Sequence, residues 1–147
     1  MAITANAAVF EYGTQATVMS DASAIANGAF NAGTVTPLTP ADKVPLADLM
    51  LDITFAIAPV AGKVVNVYRR DLNIDGANSA PVPDNNFKQT YIGSFVVDAV
   101  ATRQFLSLHS VPIGPGQEFY IENASGQSTS GTTILKVTPK TYNGKAA

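Results

Sequence analysis

Apolar side chains recur at every second position from Leu49 to Ile57: Leu49, Leu51, Ile53, Phe55 and Ile57 fall on one side, with Met50, Asp52, Thr54 and Ala56 between them. A period of two predicts a strand with one buried face. The wider window Leu46–Ala58 also fits a helical stripe through Leu46, Leu49, Met50, Ile53 and Ile57. A helix would turn Leu51 and Phe55 outward, so the strand is the better reading. Pro59 to Gly62 supplies a turn. Val64–Arg70 follows, with Val65 and Val67 on one face and Asn66, Tyr68 and Arg70 on the other, and the two runs predict a hairpin.

Shorter β runs follow at Tyr91–Val97, Phe105–Leu108, Glu118–Asn123 and Thr133–Thr138. They are separated by turn chemistry: Pro81 and Pro83, then Pro112 with Gly114-Pro115-Gly116, then Gly126 to Gly131. Strands without intervening helices argue against a parallel α/β fold. The prediction is an all-β chain with one antiparallel β-sandwich or jelly roll over residues 46–147.

Residues 1–45 differ in character. They are rich in Ala and Thr, and their only charged residues are Glu11, Asp21, Asp42 and Lys43. No sustained period appears, although Ala24–Phe30 can form one short strand. Pro37, Pro40 and Pro45 mark a stiff approach to the first strong strand. The segment reads as an extended N-terminal arm that binds a neighbour more than it supports the sandwich.

Composition narrows the function. Of 147 residues, charged ones make up 14%, well below the usual quarter, so the surface is weakly charged. Nine Lys and Arg against eleven Asp and Glu create no basic field, and neither nucleic acid nor an anionic membrane is an expected partner. No cysteine is present to form a disulfide, a thiol nucleophile or a thiolate metal site, which suits synthesis in a reducing cytoplasm. The opening Met-Ala-Ile-Thr-Ala-Asn lacks the basic start and apolar core of a signal peptide, and no apolar run reaches membrane-spanning length.

Candidate chemistry is sparse. The single histidine, His109, makes no metal site alone, and no Gly-x-Ser-x-Gly elbow presents a serine to it. Asp71-Leu72-Asn73-Ile74-Asp75-Gly76 begins like a calcium-binding loop, but its twelfth position is Val82 where a bidentate glutamate is needed. A turn in which Asp and Asn bond their own backbone, with Gly76 at positive φ, accounts for the same residues. The glycines around Pro115 form no phosphate-binding pattern. Tyr12, Tyr68, Tyr91, Tyr120 and Tyr142 could stack on a sugar, yet Tyr91 and Tyr120 sit in predicted strands and read as sheet-face residues. No catalytic, cofactor-binding or metal-ligating residue is assigned, and no enzymatic activity is expected.

The pieces Asp71-Leu72-Asn73-Ile74-Asp75-Gly76, Tyr91-Ile92-Gly93-Ser94-Phe95, Glu118-Phe119-Tyr120-Ile121-Glu122-Asn123 and Thr138-Pro139-Lys140-Thr141-Tyr142 lie within Arg70–Asn143. This stretch, about half of the chain, is similar to small virion structural proteins of tailed bacteriophages. The resemblance implies a capsid decoration or cement protein made in the host cytoplasm and located in the virion. Such a protein binds the major capsid protein or other virion subunits and is often a homo-oligomer, with a trimer favoured. Alternatives are a tail, neck or baseplate component, or a carbohydrate-binding module for host attachment. None of these pieces is a catalytic signature, and the resemblance carries over no functional residue.

Overall fold

The computed structural model describes residues 10–40 and 44–142. Nine strands occur among them: β1 (Phe10–Tyr12), β2 (Ala16–Asp21), β3 (Thr34–Val35), β4 (Leu46–Thr54), β5 (Val64–Asp71), β6 (Tyr91–Val96), β7 (Arg103–Pro112), β8 (Gln117–Ala124) and β9 (Thr133–Tyr142). The described residues contain no helix, and so none long and apolar enough to cross a membrane.

Two antiparallel sheets form a sandwich. The larger runs β3-β2-β9-β4-β7, with β1 extending the β2 side of β9; the smaller runs β6-β5-β8. Their inner faces share one core that includes Leu49, Leu51, Ile53, Val65, Val67, Phe95, Phe119, Ile121, Leu135 and Val137. Alternation in β4 sends Leu49, Leu51 and Ile53 inward as predicted, and Phe55 continues inward beside an isolated bridge to Thr129. The pattern then ends: Ile57 is 65% exposed. Chain direction has already begun to change beyond Thr54, so period two no longer applies.

The predicted hairpin of the two first runs does not form. β4 pairs with β7 and β9, whereas β5 pairs with β6 and β8 in the other sheet. Both strands are buried enough to need a neighbour on each side, and the Pro59–Gly62 turn carries the chain across the sandwich. Gly62 has φ +77° there, and the Lys63 N–H bonds the Val60 carbonyl.

Nor is the described part of residues 1–45 an arm apart from the sandwich. β2 lies beside β9, and Val18, Met19, Ile25 and Leu38 are buried in the core. A register shift between Thr17 and Met19 turns the successive Val18 and Met19 both inward. That irregularity erases the alternation by which a strand is recognised. Ala24–Phe30 contains no strand; Ile25 is buried and Phe30 makes an isolated bridge to Glu122. Residues 1–9 and 41–43 of the expected arm, with Asp42 and Lys43, and residues 143–147 of the expected sandwich lie outside the described residues.

Candidate interaction surface

The two sides of the sandwich are finished differently. On one side the chain from Gly28 to Leu38 covers the edge of β8. Gly28 N–H donates to the Asn123 carbonyl at 2.6 Å, Asn123 N–H to Ala29 at 2.9 Å, Asn31 N–H to Ile121 at 3.0 Å and Leu38 N–H to Gln117 at 2.7 Å. Asn31 Oδ1 also accepts the Ile121 N–H at 2.8 Å. Asp21 secures this cover from below, because its carboxylate accepts the N–H groups of Ser23, Ala32 and Gly33.

On the other side β6 and β7 lie next to each other as outer strands of their sheets, each hydrogen-bonded along one flank only among the described residues. They touch closely: a Cβ on Gly93 of β6 would meet Leu108 of β7 at 3.1 Å. Open edges invite another strand, and proteins usually guard them with charge, proline or bulges. β6 carries no charged residue. On β7, Arg103 is occupied by Asp52, with Nε and Nη2 at 2.7 and 2.5 Å from its two oxygens, and its guanidinium lies 4.7 Å from the Phe105 ring centre. Phe105 itself is exposed, as are Tyr91 and Val96 on β6. A depression of about 360 Å³ between the strands is lined by Arg69, Gln89, Thr90, Tyr91, Ile92 and Pro112. Thr90 Oγ1 has no hydrogen-bond partner there among the described residues.

Only the C-terminal end of β7 is guarded. Leu108 stands opposite Leu49 and Val111 opposite Ala47, so His109 and Ser110 together face Asp48 in a bulge. Ser110 takes φ +59°, and its N–H donates to Asp48 Oδ1 at 2.8 Å. Lys140 Nζ reaches the same oxygen at 2.6 Å, and His109 Nδ1 lies 3.4 Å from Asp48 Oδ2. Burial raises the Asp48 carboxyl, but the hydrogen bonds from Lys140, Ser110 and His109 outweigh it and hold the group below its ordinary 3.8. His109 is thus a strand-end residue beside a carboxylate, and no hydroxyl hydrogen-bonds to it among the described residues.

The Asp71 turn is filled by its own bonds. Asp75 Oδ1 accepts the N–H groups of Ala77 and Asn78, and Oδ2 accepts Asn78 Nδ2 at 2.7 Å. These bonds, the Asn78 side chain first, bring its pKa to about 2. Gly76 has φ +88°, and Asp71 pairs with Arg69 at 2.9 Å. The Asp75 oxygens therefore hold the turn together, and the Asp71 carboxylate is taken up by Arg69.

All five tyrosines lie in strands. Tyr68 is buried on the outer face of the smaller sheet, 5.8 Å from Tyr91 and 5.1 Å from Phe30, and its hydroxyl donates to Glu122 at 2.8 Å. Glu122 also accepts Asn66 Nδ2 and the Lys88 ammonium, while Ser94 links Asn66 to Tyr91. Sequence reading missed this network, because residues 54 and 34 positions apart from Glu122 meet only through sheet pairing. Tyr12 and Tyr142 are exposed beside Lys140, and Phe10 packs on Tyr142 at 4.9 Å between ring centres.

No protein-family model matches the sequence, and no curated protein matches it.

Proposed function

We propose that the protein is a non-enzymatic structural component of a virion, a capsid decoration or cement protein that binds and stabilises neighbouring capsid subunits. The observation that carries this reading is the β6–β7 side: two adjacent, nearly uncharged edges, open among the described residues, while the fold covers the opposite β8 edge with its own chain. An added strand gains backbone hydrogen bonds there at little desolvation cost, and the depression at Tyr91 and Pro112 accepts a side chain beside it. Many copies on one shell multiply a weak contact. The likeness of Arg70–Asn143 to small phage structural proteins supplies the kind of particle, and the low charge suits contact with protein instead of nucleic acid or membrane.

The test is to add purified protein to particles lacking it and image them at low resolution. Density on the shell at regular sites, lost when Phe105→Asp places a charge on the β7 edge, is the expected result. Density on the tail, or none, would overturn the decoration role.

A further inference from the structure

We propose that two copies of this chain pair through β7 about a two-fold axis at Ser107, joining their larger sheets into one continuous sheet. The inference rests on reading the β6–β7 side as the contact surface and names its first occupant, a second copy.

A neighbouring copy can offer few backbone groups for pairing. Its β8 edge is already bonded to Gly28, Ala29, Asn31 and Leu38 of its own chain, and the outer strands β1 and β3 offer only three and two residues, so its longer open edges among the described residues are again β6 and β7. Like edges that pair antiparallel are related by a two-fold axis, which makes the contact isologous and closed. Of the two, β7 is the better template. It spans ten residues against six in β6, whose pairing with β5 shifts register near Tyr91 and whose Gly93 is pressed against Leu108.

The centre of β7 also reads the same in both directions. Phe105-Leu106-Ser107-Leu108-His109 has Ser107 at its middle, a leucine on each side and a ring beyond each leucine. Antiparallel pairing about Ser107 sets Leu106 opposite Leu108 of the partner subunit and Phe105 opposite His109 of the partner subunit. Leu106 and Leu108 are the partly buried residues that pack against the core, so their pairing extends the apolar layer across the axis. Phe105, Ser107 and His109 are exposed, and they make a ring–hydroxyl–ring row on the outer face. No like charges meet: Arg103, the one constitutive charge on the strand, lies outside this central stretch and is paired with Asp52. The bulge at His109–Ser110 ends the flat stretch where the palindrome ends. A three-fold assembly, by contrast, joins two different surfaces and makes no use of this symmetry.

The test uses the full chain in sedimentation equilibrium. Wild-type protein is expected at twice the 15.3 kDa chain mass. Ser107 is exposed on the outer face, so Ser107→Asp and Ser107→Lys should fold. Each sets like charges across the axis and should sediment as a monomer, while an equal mixture of the two should recover the doubled mass. The chain has no cysteine, so Ser107→Cys should oxidise to a covalent dimer, and Ser128→Cys, exposed in the loop between β8 and β9, should not. A monomeric or trimeric wild type, or a Ser107→Asp protein that stays dimeric, overturns the pairing. Particle occupancy is measured separately. A monomer that still occupies the shell removes the pairing and leaves the structural role; a dimer that never binds particles removes the role and leaves the pairing.

Discussion

Gly33 rests on Asp21 so closely that a Cβ built on the glycine would stand 2.5 Å from the Asp21 Cα and 2.3 Å from the Ser20 carbonyl oxygen. The approach lets Asp21 Oδ2 accept the N–H groups of Ala32 at 2.8 Å and Gly33 at 3.0 Å. Because the obstructing atoms belong to the β2 backbone, they cannot rotate aside. Gly33→Ala is expected to cost on the order of 2–3 kcal/mol by overpacking. Asp21→Ala should cost a similar amount, on the order of 1 kcal/mol for each of the part-buried N–H groups of Ser23, Ala32 and Gly33 that loses its acceptor. Urea unfolding measures both. A Gly33→Ala midpoint equal to wild type would show that the cover over β8 can shift without loss.

The point where β4 stops behaving as a strand separates two residues that its pattern treats alike. Phe55 is 1% exposed and Ile57 is 65% exposed. Phe55→Ala should therefore cost about 3–5 kcal/mol by leaving a cavity. Ile57→Ala should stay within about 0.5 kcal/mol, as surface changes do. Equal losses in denaturant unfolding would contradict the exposure of Ile57.

Legibility followed periodicity. β4 and β5 alternate cleanly, and their inward residues Leu49, Leu51, Ile53, Val65 and Val67 were all readable. β2 was not, because its bulge places Val18 and Met19 on the same face. Pairing partners were less legible still: a turn between two strong strands suggests a hairpin, and nothing local reveals that Pro59–Gly62 crosses between sheets. The open side could not be read at all. Whether β7 ends a sheet depends on β9 occupying the other flank of β4, a contact across more than eighty residues of sequence.

The same blindness changes the expected result of an N-terminal truncation. Removing residues 2–43 deletes β1, β2 and β3 with Val18, Met19, Ile25 and Leu38, and it uncovers the β8 edge. Each buried apolar side chain contributes about 1.5–3 kcal/mol, against a total stability of about 5–15 kcal/mol for a domain. The truncated chain should not fold. Removing residues 2–12 deletes only β1 among the described strands and should leave a folded, less stable protein, since Lys140 loses its contacts with the rings of Phe10 and Tyr12. Far-ultraviolet circular dichroism distinguishes the two. A folded 44–147 fragment would show that β2 is dispensable to the core.

Acid stability should report on Glu122. Burial raises its carboxyl, but hydrogen bonds from Lys88, Tyr68 and Asn66 outweigh burial and set it below the ordinary 4.5. A carboxyl depressed in the folded state binds its proton more weakly than in the unfolded chain. Its contribution is therefore complete above about 4.5 and is lost as pH falls through the lower, folded value. Asp48, depressed from 3.8 through Lys140, Ser110 and His109, adds a loss of the same sign at lower pH. The urea midpoint should accordingly stay level from pH 7 to about 5 and then decline. Glu122→Gln keeps the shape but removes the charge facing Lys88, so it should lower stability at neutral pH and flatten the upper part of the acid decline. Lys88→Met should weaken the same part of the profile, because the carboxylate loses its cation. Parallel profiles for Glu122→Gln and wild type would mean that another carboxyl governs the decline.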